Sequence, residues 1–230
     1  MGILAYRTYS ASMPMPEKVV SESGQLLFTA DDITQGQELY QARGLMEYGS
    51  VLGHGAYLGP DYTAEYLRMA TDDVADQLRA QGVIDPRGRV VAEFRGLQPR
   101  HQDAGVHRPQ VAAFNRIQSH YAAYFGENST KYGLLPQMIT DKAQIRDLTS
   151  FFAWTAWAGA AERPGHKYSY TNNWPAEPRV DNGPTAPVIV WSMLSLIALL
   201  GGIGIMFAVY GRWSQKVGPG LRFLIPLATS

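Results

Sequence analysis

Two patterns of apolar residues divide this chain. Up to about residue 183 they recur at helical spacing among polar positions, whereas from Pro184 to Gly211 no charged residue occurs. In the first region, Tyr66, Leu67, Ala70, Val74 and Leu78 share one face of a helix predicted over Thr63–Gln81 and ended by Gly82. Asp72, Asp73 and Asp76 are then placed toward solvent. Val111, Phe114, Ile117, Tyr121 and Tyr124 do the same for a helix with Pro109 in its first turn and Gly126 at its end. A further helix is predicted from Asp141 to Ala161, carrying Ile145, Leu148, Phe151, Phe152, Trp154 and Trp157. Its second half is apolar nearly all round, which makes it either the central helix or one lying on a membrane surface. An earlier, shorter helix begins near Asp31 or Asp32 and has Gly44 as its C′ residue. Between these, Leu26–Phe28 reads as a short strand, Asp85–Arg89 as a turn, Val90–Phe94 as a brief strand, and Arg163–Asp181 as a loop.

The charge-free region contains the nearly continuous apolar run Val188–Leu200. About 20 apolar residues span a bilayer core, so this segment is long enough to cross with some tilt. Trp191 near one end and Tyr210 with Trp213 at the other fit aromatic belts. Arg212, Lys216 and Arg222 follow the run, while the nearest preceding charge is Asp181. The positive-inside rule therefore places the C-terminal end in the cytoplasm and residues 1–183 outside. Residues 1–7 lack the apolar core of an export signal, so an upstream membrane helix is expected. The chain divides into a connector from that helix (1–25), an outer domain (26–183), a transmembrane helix (184–212) and a cytoplasmic segment (213–230) that starts the next membrane region.

Twenty basic and twenty acidic residues balance, which gives no electrostatic reason for a nucleic-acid partner. The chain has no cysteine, which excludes disulfides, thiolate metal sites, iron–sulfur clusters and covalently attached haem. His54, His101, His107, His120 and His166 are scattered singly, without the spacing of a metal site. His120 lies one residue off an apolar helix face and reads as structural; His54 stands out because it lies in a glycine-rich loop. That loop, residues 44–61, threads glycines and Pro60 with Leu45, Met46, Tyr48 and Tyr57. It bends sharply while its side chains still pack, a property of loops that wrap a ligand or meet another surface.

The order of these features resembles a known family. Gly36 and Tyr40 match the first helix of small c-type cytochromes, and Gly53-His54-Gly55-Ala56-Tyr57 matches the end of the loop in the small subunit of cytochrome-c-dependent nitric oxide reductases. Counting back from Tyr57, the two cysteine positions fall on Leu45 and Tyr48 and the haem-ligand position on Gly49. Together with 151–157, 163–175 and 191–210, the chain resembles the N-terminal portion of the quinol-dependent nitric oxide reductases. In that family a haem-free cytochrome c-like domain is fused to the catalytic subunit.

The resemblance implies a mainly α fold, a cytochrome c-like helical extracytoplasmic domain followed by one transmembrane helix. It implies a bacterial inner-membrane enzyme that turns quinol and two nitric oxide molecules into quinone, nitrous oxide and water. The b-type haems and non-haem iron would lie in membrane helices beyond Ser230, so this chain alone is expected to be inactive and to bind no cofactor itself. Its partners would be those helices, the quinol and nitric oxide of the full enzyme, and lipid. Gly55, through its carbonyl, and Tyr57 are implied ligands of a calcium ion shared with the catalytic part. Leu45, Met46 and Tyr48 are expected to fill the volume of the absent haem, against the alternative of a non-covalent haem on Met46, Met69 or Met138. The aromatic stretches 151–157 and 168–174 read as an interfacial belt or docking surface rather than a quinol site. Ala198, Gly201, Gly202 and Gly204 form a small-residue patch for helix packing. The rival reading is a self-standing single-pass protein whose outer domain binds a partner.

Overall fold

Thr29 and Asp32 start the first helix by capping each other. The Asp32 amide donates to Thr29 Oγ1 (3.3 Å) and the Thr29 amide to Asp32 Oδ2 (2.7 Å). This reciprocal pair satisfies two amides that the helix itself leaves without partners. The computed structural model describes residues 13–54, 58–97, 103–106 and 108–216. They divide into two units, Met1–Pro184 and Thr185–Ser230.

The first unit is mainly helical. Helix α1 is Ala30–Ala42, α2 Tyr62–Ala80, α3 Pro86–Arg95, α4 Arg108–Phe125 and α5 Lys142–Ala160. Aspartates cap three of them: Asp61 accepts from the Ala64 amide, Asp85 from Gly88 and Asp141 from Ala143. The predicted faces of α2, α4 and α5 point into one core, with Leu67, Val74, Ile117, Leu148 and Phe152 all at 1% exposure or less. Helix α5 is the central element, since every side chain from Leu148 to Ala156 is buried. Helix α1 crosses it at Gly36, where an added Cβ would collide with the Asp147 carbonyl and the Phe151 side chain.

Three expectations are corrected. Val90–Phe94 is not a strand but the body of α3; Pro86 occupies its first turn, and Val90 and Phe94 are buried one helical turn apart. Asp73 does not face solvent: its side chain is 13% exposed and pairs with Arg116 at 2.6 Å. Burial raises its carboxyl above the usual range, with Arg116 opposing that shift. Residues before Leu26 are more than a connector. Lys18–Ser21 (β1) pairs antiparallel with Leu26–Thr29 (β2) and parallel with Asp103–Val106 (β3), in the order β2-β1-β3. These four-residue strands are too short for a period of two to be read from sequence, and the β1–β3 pairing joins segments more than eighty residues apart.

The Pro- and Asn-rich segment after α5 has little regular structure but is firmly held. Asn182 donates to the Gly159 carbonyl (2.8 Å) and accepts from the Glu177 amide (2.5 Å). Arg95 bridges Glu162 (2.5 Å), the Asp181 carbonyl (2.8 Å) and the Lys167 carbonyl (3.0 Å). Side chains thereby supply the partners that a helix or sheet would otherwise give the backbone.

The second unit is helix α6, Ala186–Lys216. Its stretch Ala186–Arg212 is long and apolar enough to cross a membrane, and none of it is buried within the protein. Along it Trp191 is 70% and Phe207 65% exposed.

Candidate functional site

The glycine loop leaves α1 through Gly44 in a left-handed conformation (φ 61°) and makes one 3₁₀ turn over Leu45–Glu47. Its two ends then meet in a single parallel bridge between Ser50 and Asp61. The Ser50 amide donates to the Pro60 carbonyl (3.0 Å), and the Tyr62 amide to the Ser50 carbonyl (2.8 Å). Asp61 closes the loop. One carboxylate oxygen caps α2, and the other accepts from Ser50 Oγ (2.8 Å) and the Gly53 amide (2.6 Å). Thr63 Oγ1 accepts from the Leu52 amide (3.0 Å) and donates to Thr155 Oγ1 (3.1 Å), tying the loop tip to α5. An Asp61→Ala variant removes all three carboxylate contacts. It is expected to cost about 1–2 kcal/mol and to lower the thermal midpoint, measured by circular dichroism of the full chain.

Gly49, at the position matching a haem ligand, is buried with no space beyond its Cα. An added Cβ would strike the Tyr62 ring and the Pro60 carbonyl. Tyr62 is fully buried and stacks on Phe152 at 4.6 Å and 15°, with the edges of Tyr40, Tyr121 and Tyr124 around it. Tyr40 donates to the Gly49 carbonyl at 2.8 Å. Burial, with a smaller contribution from Asp61, pushes the Tyr40 hydroxyl up to about 12, so it remains a donor at neutral pH. Because this value lies above the ordinary 10, its stabilising contribution is complete below pH 10 and is lost as pH rises towards 12. An iron ligand at position 49 has no room to project, so the residues present do not fit a haem there.

Of the three expected filling residues, Leu45 is fully buried and Tyr48 packs partly against the core, but Met46 is 48% exposed. The ring that lies against Gly49 is Tyr62, which a helix predicted to start at Thr63 leaves out. Its spacing of four from Tyr66 is the available signal. Met69 and Met138 pack against the core.

The loop's outer surface is apolar in places. Met46 (48%), Leu58 (56%) and Trp174 (48%) are exposed, and the Trp174 indole lies against Gly53, where a Cβ would collide with it. His54 is exposed, with Nδ1 2.9 Å from the Leu52 carbonyl. His120 lies against Tyr121 and 3.7 Å from Glu65, and His166 stacks on Tyr168. Gly55, Tyr57, His101 and His107 lie outside the described residues. Among the described residues no three His, Asp or Glu side chains gather as a metal site. Phe151, Phe152 and Trp154 are at most 9% exposed, so the first aromatic stretch is core rather than an interfacial belt or docking surface.

Beside α5, and lined by none of the glycine loop's residues, is a cavity of about 80 Å³, open to the surface on one side. Ala70, Ala153 and Ala156 leave the space, and Phe28, Phe94 and Phe114 are among its walls. Sequence periodicity does not reveal it, because small residues on an apolar face read as core.

No curated protein sequence matches the chain. Residues 16–176 match the profile of the family described as the NorB cytochrome c-like domain of nitric oxide reductase. That match takes in both strands of the β1–β2 pair, the glycine loop and all five helices of the first unit. The loop closed by Asp61, the helices around it and the extent of this match lead to one assignment: the chain belongs to the NorB cytochrome c-like domain family of the nitric oxide reductases.

Proposed function

We propose that this chain is the N-terminal portion of a quinol-dependent nitric oxide reductase, in which the outer domain is a haem-free cap docked on the catalytic part. The observation that carries the reading is the closure of position 49 by the Tyr62 ring, in a loop whose two ends are tied together by Asp61. Electron transfer through this domain would need a haem held at that position. With quinol as donor, electrons enter from the membrane and need no path here. The domain's task is then mechanical: it covers the haem-propionate side of the catalytic part. The exposed Met46, Leu58 and Trp174 supply apolar contact there.

Gly55 and Tyr57 would contribute a carbonyl and a phenol oxygen to a calcium ion shared with the catalytic part, both being oxygen donors of the type calcium takes. Residues 1–183 would face the periplasm and the end of α6 the cytoplasm of the inner membrane.

Titrating the purified full chain with haemin and with calcium tests this reading. The expected result is no stoichiometric Soret band and no saturable calcium binding at micromolar concentration, since the two proposed ligands leave most of a calcium shell unfilled. A one-to-one Soret band that is lost on mutation of Met46, Met69 or Met138 would overturn it.

A further inference from the structure

Three tyrosine hydroxyls and one carboxylate come together inside the outer domain. Tyr62 belongs to α2 and Tyr121 and Tyr124 to α4, and their rings contact one another edge to face, with centroids 6.2–6.4 Å apart. Glu65 lies one residue short of a full turn along α2 from Tyr62, and its charge acts on all three hydroxyls. Those hydroxyls and Glu65 Oε2 are buried without a hydrogen-bond partner. His120 Nε2 stands 3.7 Å from Glu65 Oε1, too far for a hydrogen bond.

Phenylalanine would fill this core and leave no polar atom unsatisfied, so the hydroxyls need another explanation. A bound ligand does not supply it, because these atoms have essentially no surface open even to water. An electron needs no such opening. Burial is the largest cause raising the hydroxyls of Tyr62, Tyr121 and Tyr124 above their ordinary range. Each therefore keeps its proton at neutral pH, and a ring that loses an electron must hand that proton to a neighbour. Tyr121 has such a neighbour in Glu65, which after burial is the strongest influence on its hydroxyl. The cluster also reaches the surface: Tyr132, 38% exposed, stacks on Tyr124 at 4.3 Å and 25°.

We propose that Tyr132, Tyr124 and Tyr121 form a relay that meets a one-electron oxidant at the surface and stores the resulting radical on Tyr121. The oxidant, of the class of nitrogen dioxide and peroxyl radicals, gains one electron and leaves as its anion. Tyr132 and Tyr124 pass that electron outward and end unchanged. At Tyr121 the O–H bond breaks and the proton forms a new O–H bond on Glu65. The products are a neutral phenoxyl radical and a carboxylic acid, and the negative charge of the carboxylate is balanced by that of the reduced oxidant. A phenol yields its electron only to a strong oxidant, so the relay does not carry electrons from quinol. Its failure would leave the haem-free reading untouched.

Flash photolysis of the full chain in detergent micelles tests the relay, with tris(bipyridine)ruthenium and persulfate as the source of oxidant and freeze-quenched electron paramagnetic resonance as the readout. The expected result is a tyrosyl signal that persists after the radicals of other exposed tyrosines have decayed. In the unsubstituted chain this signal should carry a proton coupling that is lost in deuterium oxide, a readout that needs no variant. Tyr121→Phe and Glu65→Gln should each abolish the persistent component. Tyr132→Phe and Tyr124→Phe should lower its yield without shortening its lifetime. All four substitutions keep the shape of the side chain they replace, and circular dichroism checks that the fold is retained. No persistent signal, one that survives in Tyr121→Phe or Glu65→Gln, or a yield unchanged in both Tyr132→Phe and Tyr124→Phe would each overturn the proposal.

Discussion

Tyr62→Ala is expected to be the most damaging single substitution in the outer domain, at about 3–5 kcal/mol. Tyr62 is fully buried and sits where α2, α4, α5 and the glycine loop converge, in ring contact with Tyr40, Tyr121, Tyr124, Phe125 and Phe152. Truncation to alanine leaves a cavity whose walls belong to four separate segments, so none can move in without losing its own packing. In a domain of this size each kcal/mol moves the thermal midpoint by about 2–4 °C, so a fall of about 6–20 °C is expected by circular dichroism. Tyr62→Phe keeps the ring and should stay within a few degrees of the wild type. An alanine variant as stable as the phenylalanine one would show that Tyr62 does not hold the space beside Gly49.

Gly36→Val should produce the second largest loss, about 3 kcal/mol or more. The crossing of α1 over α5 brings the Gly36 Cα against the Asp147 carbonyl and the Phe151 side chain, with no room for a Cβ. Backbone cannot rotate away as a side-chain tip can, so the helices must separate and the Tyr40–Phe151 and Tyr40–Phe152 contacts open with them. The consequence should reach the loop, because Tyr40 holds the Gly49 carbonyl. Proteolysis of the loop should therefore accelerate in Gly36→Val. In Gly82→Val, by contrast, no neighbouring atom would meet the new side chain, and only the strain of a positive φ (74°) is introduced. Equal protease resistance of the two variants would refute the coupling between the helix crossing and the loop.

The helices with a continuous apolar face are legible because their burial follows a local period. Spacing alone assigns Tyr66, Leu67, Ala70, Val74 and Leu78 to one face, and all are buried. The short α3 reads as a strand because Val90-Val91-Ala92-Glu93-Phe94 contains too few residues to separate a period of two from one of 3.6. There the Asp-Pro pair decides the outcome, by capping and opening a helix rather than making a turn. The three-stranded sheet is illegible in its first and third strands because they pair with each other across a long stretch of chain.

The amino-acid sequence by itself determined that no thiol could hold a haem, that position 49 offers no iron ligand, and that one segment is apolar enough to cross a membrane. These are properties of single residues or contiguous runs, which need no partner to be read. Only the tertiary structure decided which side chain takes the space beside Gly49, that Met46 points outward instead, and that three alanines and Gln110 enclose a cavity. Occupied and open volumes are set by the convergence of helices distant in the chain, and a one-dimensional pattern carries no measure of the distance between them.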